Sequence, residues 1–276
     1  MTVQTALLQG AKLLEESEVP VARLTAEVLL AHALQRERVY LFGHPEHELS
    51  ELEWLHYGRY LHERLKGKPT QYITGRQEFY GREFRVSADV LIPRPETEHV
   101  VEAALQLARG ANQVIDAGCG SGILAVTLRL ETGAAVSGTD ISEAALRVAQ
   151  QNASRLDAAV DFVACDLTSA FAARSADLIV SNPPYVPAGD RHSLQREVRD
   201  WEPHQALFAG DTGLEIYERL VEDATRVLRP GGWLIMELGF QMRDRVAGMF
   251  QPRWEEVQTF PDLAGIPRVL AARFFA

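Results

Sequence analysis

The chain has 276 residues, enough for one or two domains and for a core that needs no disulfide or metal staple. Hydrophobic residues make up 46% and charged residues 24%, which excludes a wholly disordered or collagen-like chain. Twenty-eight Lys and Arg against 38 Asp and Glu leave a formal charge of −10, the reverse of the basic excess usual in proteins that bind nucleic-acid phosphates.

The first 70 residues read as a small helical bundle. Leu7, Ala11 and Leu14 recur at helical spacing, as do Ala26, Leu29, Leu30, Ala33 and Leu34, and then Trp54, Tyr57, Leu61 and Leu65. Ser50 followed by Glu53 is a capping-box pattern that starts the third stripe. From Lys68 to Val90 aromatics and glycines alternate, and residues 71–91 are expected to form a strand pair linking two domains. Pro93 and Pro95 force an extended entry, the second sitting at the first position of a helix over Thr97–Ala108.

Beyond Gly110, strand and helix alternate. Apolar runs fall at Gln113–Ala117, Ala135–Asp140, Asp161–Cys165, Leu178–Ser181 and Trp233–Leu238, with helical stretches at Ile123–Leu130, Glu143–Ser154 and Leu214–Leu228. This is the pattern of an α/β fold with helices on both faces of a parallel sheet. The runs Val257–Phe260 and Arg268–Phe275 are joined by a segment too short for a crossover helix, so they should pair antiparallel. With the second strand between the first and third, Cys119 and Cys165 lie too far apart to bridge and should stay reduced. Free thiols, no signal-peptide pattern and no long apolar run point to a cytoplasmic protein without a membrane partner. The eight histidines show no metal-binding spacing, and no metal is expected.

Asp116-Ala117-Gly118-Cys119-Gly120-Ser121-Gly122 follows the first of these strands and opens a helix. A dinucleotide fingerprint needs glycine at position 123, which is Ile123. The spacing D-x-G-x-G-x-G resembles the S-adenosylmethionine loop of class I methyltransferases. A carboxylate at Asp116 suits a sulfonium and an amino group and would repel a pyrophosphate. Asp140 ends the second strand, 22 residues after Gly118, where it can accept hydrogen bonds from both ribose hydroxyls or cap the following helix; Ser142 can cap instead. Asp166 and Leu167 end the third strand and, by analogy with class I methyltransferases, would line an adenine pocket.

Asn182-Pro183-Pro184-Tyr185 follows the fourth strand. Two prolines remove two backbone donors and fix two φ angles, leaving the Pro183 carbonyl rigid and free. With the Asn182 side-chain oxygen it makes two fixed acceptors for both hydrogens of one NH₂ group, so that the nitrogen lone pair points in a third direction. Tyr185 offers a flat face to a planar amide or base.

These segments resemble the release factor glutamine methyltransferases, the PrmC/HemK family. The resemblance is carried by Gly67–Gly75, Leu91–Glu98, Asp116–Gly122, Asp140-Ile141-Ser142, Asn182–Tyr185, Glu202-Pro203, Ala206–Gly210, Leu214 and Glu237-Leu238-Gly239. It implies a Rossmann-like, seven-stranded, mostly parallel sheet over 92–276, preceded by a helical partner-binding domain over 1–70 and a β-hairpin linker. The implied catalytic residues are Asn182, Pro183 and Tyr185, with Pro184 joining them in substrate binding. The implied cofactor residues are Gly118, Cys119, Gly120, Ser121, Gly122, Asp140, Asp166, Leu167 and Asn182. One departure is Leu167, where some relatives carry an aromatic against the adenine. The implied substrate is the glutamine of the Gly-Gly-Gln motif in class 1 peptide chain release factors, methylated from S-adenosylmethionine by a monomeric enzyme without direct nucleic-acid contact. Rival readings are a glutamine methyltransferase for a ribosomal protein, a nucleic-acid amino-methyltransferase, and a nucleotide-binding oxidoreductase or binding module. The acidic charge counts against the second; Ile123 and the Asn-Pro-Pro-Tyr loop count against the last two.

Overall fold

Helices α1 (Val3–Glu16), α2 (Ala22–Leu34), α3 (Arg38–Gly43), α4 (Glu51–Leu65) and α5 (Thr70–Thr74) open the chain in a computed structural model that describes residues 1–250 and 252–275. The apolar stripes meet in one core, where Leu7, Leu14, Leu29, Leu30, Tyr57 and Leu61 are buried. Trp54, expected in the same stripe, stays exposed in the first turn of α4, its ring 6.2 Å from that of Tyr57. Helix α4 begins on the expected capping box: Ser50 Oγ accepts from the Glu53 N–H, and the Glu53 carboxylate accepts from the Ser50 N–H. Gly10 sits where α1 meets Tyr57. A Cβ there would lie 1.9 Å from the phenol oxygen, so no larger residue fits without moving the ring.

The extended segment expected over 71–91 is shorter in the structure. Residues 70–74 are helical as α5, with Pro69 as its N-cap. The strand pair is confined to β1 (Arg76–Phe79) and β2 (Arg82–Arg85), joined by Tyr80-Gly81, both in the left-handed region as a two-residue hairpin turn requires.

A 3₁₀ turn over Pro95–Thr97 leads into α6 (Glu98–Leu107). There follow β3 (Gln113–Ala117), α7 (Ile123–Thr132), β4 (Ala135–Asp140), α8 (Glu143–Arg155), β5 (Val160–Ala164), β6 (Ala176–Ser181), α9 (Arg196–Trp201) and α10 (His204–Leu207). Helix α11 (Glu215–Val227), β7 (Leu228–Glu237), α12 (Arg243–Ala247), β8 (Trp254–Pro261) and β9 (Pro267–Phe274) complete the chain. Two compact units result: Met1–Arg76 with Gln195–Trp201, and the remainder. Within the first unit, Arg64 on α4 is nearly buried and pairs with Glu197 on α9 at 2.6 Å. Nothing in the sequence pattern signals that 195–201 groups with the helical unit, because an ion pair between residues so far apart has no periodicity.

The second unit carries a seven-stranded sheet in the order β5-β4-β3-β6-β7-β9-β8. Strands β5, β4, β3, β6 and β7 run parallel, while β9 is antiparallel to β7 and, as the short 262–266 connection demands, to β8. Alternate residues face opposite layers. Val114, Val136, Leu178, Val180 and Ile235 pack with α6, α7 and the hairpin residues Phe79 and Phe84; Ile115, Ala117, Ile179, Leu234 and Met236 pack with α11 and α12. The chain runs outward from β3 to β5, then crosses back to β6 on the other side of β3. That reversal opens a crevice beyond the carboxyl ends of β3 and β6. Cys119 and Cys165 are both free. No helix among the described residues is long and apolar enough to cross a membrane.

Candidate active site

A cavity of about 330 Å³ lies at that crevice. Gly118, Gly120 and Gly122 all adopt positive φ (73°, 53° and 81°), so the chain turns off β3 without a Cβ on the cavity side. The Cys119 N–H donates to the Thr139 carbonyl at 2.7 Å, which fastens this loop to β4. Gly118, Cys119, Gly120, Ser121, Asp140, Asp166, Leu167, Asn182 and Pro184 line the cavity. Gly122, Pro183 and Tyr185 do not. Gly122 is instead the N-cap of α7, and a Cβ there would stand 3.0 Å from the Ala149 methyl on α8.

Two of the lining carboxylates, Asp116 and Asp140, bond to the backbone around the glycine loop. Asp116 is fully buried; its Oδ2 accepts from the Ala125 N–H in the first turn of α7 at 2.9 Å, while its Oδ1 has no partner. Burial, opposed by the Ala125 hydrogen bond and reinforced by the nearby Asp140, pushes its carboxyl up to about 7. A cation bound alongside would restore the charge. Asp140 Oδ2 accepts from the Gly120 N–H and its Oδ1 from the Ser142 N–H, at 2.9 and 2.8 Å. The cap of α8 is Ser142, which accepts from the Ala145 N–H, so Asp140 braces two loops over the cavity. Its carboxyl is also raised, by burial. Asp166 pairs with Arg219 at 2.6 Å, and the Leu167 carbonyl accepts from Thr139 Oγ1 at 2.7 Å.

The opposite wall is the end of β6. Ser181 Oγ donates to the Ala117 carbonyl at 2.7 Å, setting the Asn-Pro-Pro-Tyr loop level with the glycine loop. Asn182 Nδ2 donates to Thr97 Oγ1 at 3.1 Å, and Thr97 Oγ1 donates to Glu237 Oε2 at 2.5 Å. Burial pushes the Glu237 carboxyl up to about 7. Tyr185 is cradled against the end of β7: a Cβ on Gly239 would lie 2.8 Å from its ring, and one on Gly213 would lie 2.5 Å from its carbonyl oxygen. Burial pushes its phenol up to about 12, so it stays neutral. Tyr217 beneath donates to the Glu237 carbonyl and accepts from the Gly239 N–H.

Sequence reasoning identified the glycine loop, the acidic strand ends and Asn182. It did not single out Thr97 and Glu237, although each lies in a segment that carries the resemblance. It also missed Ile141, Phe208, Ile216 and Arg219 in the lining. Nothing local marks the last two, which belong to an ordinary amphipathic helix.

Solved structures share the architecture. One is the 16S rRNA N2 G1207 methyltransferase RsmC of T. thermophilus, solved with AdoMet and guanosine, at 22% identity and a TM-score of 0.52, covering 72% of this chain and 49% of that one. The fold is thus that of class I methyltransferases, and the profile described as "Methyltransferase small domain" matches residues 98–198. The profile "PrmC N-terminal domain" matches residues 5–75. The release factor glutamine methyltransferase of Koribacter versatilis is 47% identical over 99% of both chains, and that of Nitratidesulfovibrio vulgaris 43% over 99% of this chain and 95% of that one. The chain belongs to the release factor glutamine methyltransferase family.

Proposed function

We propose that this protein transfers a methyl group from S-adenosylmethionine to the side-chain amide nitrogen of the glutamine in the Gly-Gly-Gln motif of class 1 peptide chain release factors, in the cytoplasm. The observation that carries the reading is the state of Asn182. Its NH₂ is engaged by Thr97, which leaves its carbonyl oxygen as a fixed acceptor on the wall of an acidic, glycine-lined cavity.

The cavity suits the cofactor. The unpartnered Asp116 Oδ1 answers the positive charge of the sulfonium or the amino group, the Asp140 carboxylate answers the ribose hydroxyls, and Asp166 and Leu167 would flank the adenine. S-adenosylmethionine supplies an electrophilic methyl group. The protein's own task is to present the amide nitrogen, a weak nucleophile because its lone pair is delocalised. Asn182 Oδ1 and the Pro183 carbonyl would take the two N–H hydrogens, draw the nitrogen toward tetrahedral geometry and aim its lone pair at the cavity. Pro184 and Tyr185 would pack the amide plane. Such positioning supplies effective molarities of roughly 10⁵–10⁸ M without a strong base. Residues 1–70 would hold the protein partner; Leu52 and Leu55 on α4 are 61% and 66% exposed.

The test is methyl transfer from labelled S-adenosylmethionine to release factor, ribosomal protein and DNA side by side, with peptide mapping of the product. Label on the Gly-Gly-Gln glutamine is expected. Asn182→Ala should lower kcat by about 10²–10³, the usual cost of removing one positioned donor or acceptor. Label on ribosomal protein or DNA alone would refute the assignment.

A further inference from the structure

Asn182 serves as an acceptor only while its oxygen, and not its nitrogen, faces the cavity. Its two ends are nearly equal in shape, so packing alone does not choose between them. Thr97 provides the choice. It is the N-cap of α6, where a threonine ordinarily accepts from the first-turn N–H groups, yet its side chain makes no capping bond. The hydroxyl is fully buried and lies between two side chains from other elements: it donates to Glu237 Oε2 and receives Asn182 Nδ2. A hydroxyl has a single proton. With that proton on Glu237, Thr97 Oγ1 offers only lone pairs, and only the NH₂ end of Asn182 can meet it.

We propose that Thr97 and Glu237 are positioning residues for methyl transfer: the Glu237 carboxylate orients the Thr97 hydroxyl, which locks Asn182 with its oxygen toward the acceptor nitrogen. The inference rests on the glutamine-methylating reading above. It has a consequence for pH. A protonated Glu237 donates to Thr97, whose own proton then turns to Asn182; the amide must rotate to receive it, and the acceptor oxygen leaves the cavity wall. Glu237 is 4% exposed at the end of β7. Burial, the largest influence, and Glu96 oppose its ionised form, while the Thr97 hydrogen bond, Arg268 and Arg94 favour it; the neutral Tyr185 phenol lies nearby, and Tyr217 meets its backbone carbonyl. Burial raises its carboxyl to about 7, within the range where a working enzyme would feel the change.

The experiment uses the full chain, intact release factor and labelled S-adenosylmethionine. Thr97→Val keeps the shape and removes both hydrogen bonds; it should lower kcat about 10²-fold while the Kd for S-adenosylmethionine, read by calorimetry, stays within about twofold. Thr97→Ser restores the hydroxyl and should recover most of the rate. Wild-type kcat should fall on the acid side of about pH 7, and Glu237→Gln, which cannot titrate, should be slow with that acid limb gone. A Thr97→Ser enzyme as slow as Thr97→Val, a Thr97→Val enzyme with a raised KM but intact kcat, or an acid limb that survives in Glu237→Gln would each overturn the relay. Should Thr97→Val fail to fold, the Ser and Gln variants still decide. A wild-type enzyme that leaves release factor unmethylated removes the underlying reading and this one with it; a wild-type enzyme that methylates it and tolerates Thr97→Val removes the relay alone.

Discussion

Gly239→Ala tests whether Tyr185 is held to an exact place. The added Cβ would stand 2.8 and 3.0 Å from two carbons of the Tyr185 ring and 3.0 Å from the Met242 sulfur. Carbon pairs settle at about 3.5–4.0 Å, so some group must retreat by roughly 0.7 Å or more. The backbone at 239 cannot, because its N–H donates to the Tyr217 hydroxyl and its carbonyl accepts from the Met242 N–H. Met242 is flexible and can swing aside, which leaves the Tyr185 ring to move into the acceptor site. Overpacking of this kind costs about 1–3 kcal/mol of stability, and a misplacement near 1 Å at a reacting centre costs about 10²-fold in rate. Gly239 does not line the cavity, so the cofactor should bind as before. The assay pairs single-turnover methylation of release factor with calorimetric titration of S-adenosylmethionine. A normal rate in a destabilised protein would show that Tyr185 tolerates displacement, and a matching loss of cofactor affinity would show that the cradle serves the cavity instead.

Asp140→Ala should weaken S-adenosylmethionine binding about ten- to a hundredfold and also lower Tm by a few degrees, because the Gly120 and Ser142 N–H groups lose their acceptor; an unchanged Kd in calorimetry would reduce Asp140 to a loop brace. Burial pushes the Asp116 carboxyl from the ordinary 3.8 up to about 7, so its contribution to stability is full at low pH, declines as pH rises and is gone above about 7. Asp116→Asn should therefore gain stability relative to wild type as pH rises from about 4 to about 7, by up to about 1.4 kcal/mol per pH unit, and a pH-independent difference in urea unfolding would refute the buried-carboxyl argument. Leu52→Asp with Leu55→Asp, both on exposed positions of α4, should raise KM for whole release factor and leave a short Gly-Gly-Gln peptide unaffected; equal effects on both substrates would remove the partner-binding role from the helical unit.

Much of the fold was legible because its signals are local. The strands Gln113–Ala117 and Ala135–Asp140 have the bounds their apolar runs imply, and the Ser50–Glu53 pattern starts α4 where it stands in the sequence. The antiparallel tail followed from loop length alone. At residues 71–74 composition points the wrong way: Tyr72 and Ile73 suit a strand, while the turn after Pro69 lets both be buried on a helix. Trp54 shares the periodicity of the core stripe yet stays exposed, because periodicity gives a direction on a helix but not how far the core extends along it.

By itself, the sequence determined the chemistry on offer: an acidic glycine loop, a carboxylate ending the second strand, and two rigid acceptors in Asn-Pro-Pro-Tyr. Those are properties of contiguous residues, set by φ restrictions and side-chain charge. Only the tertiary structure decided which end of Asn182 faces the cavity. That choice depends on Thr97, 85 residues away, and Glu237, 140 residues from Thr97, brought together at the ends of different elements. Hydrogen-bond polarity passes through space along a chain of donors and acceptors, and no pattern of neighbouring residues encodes it.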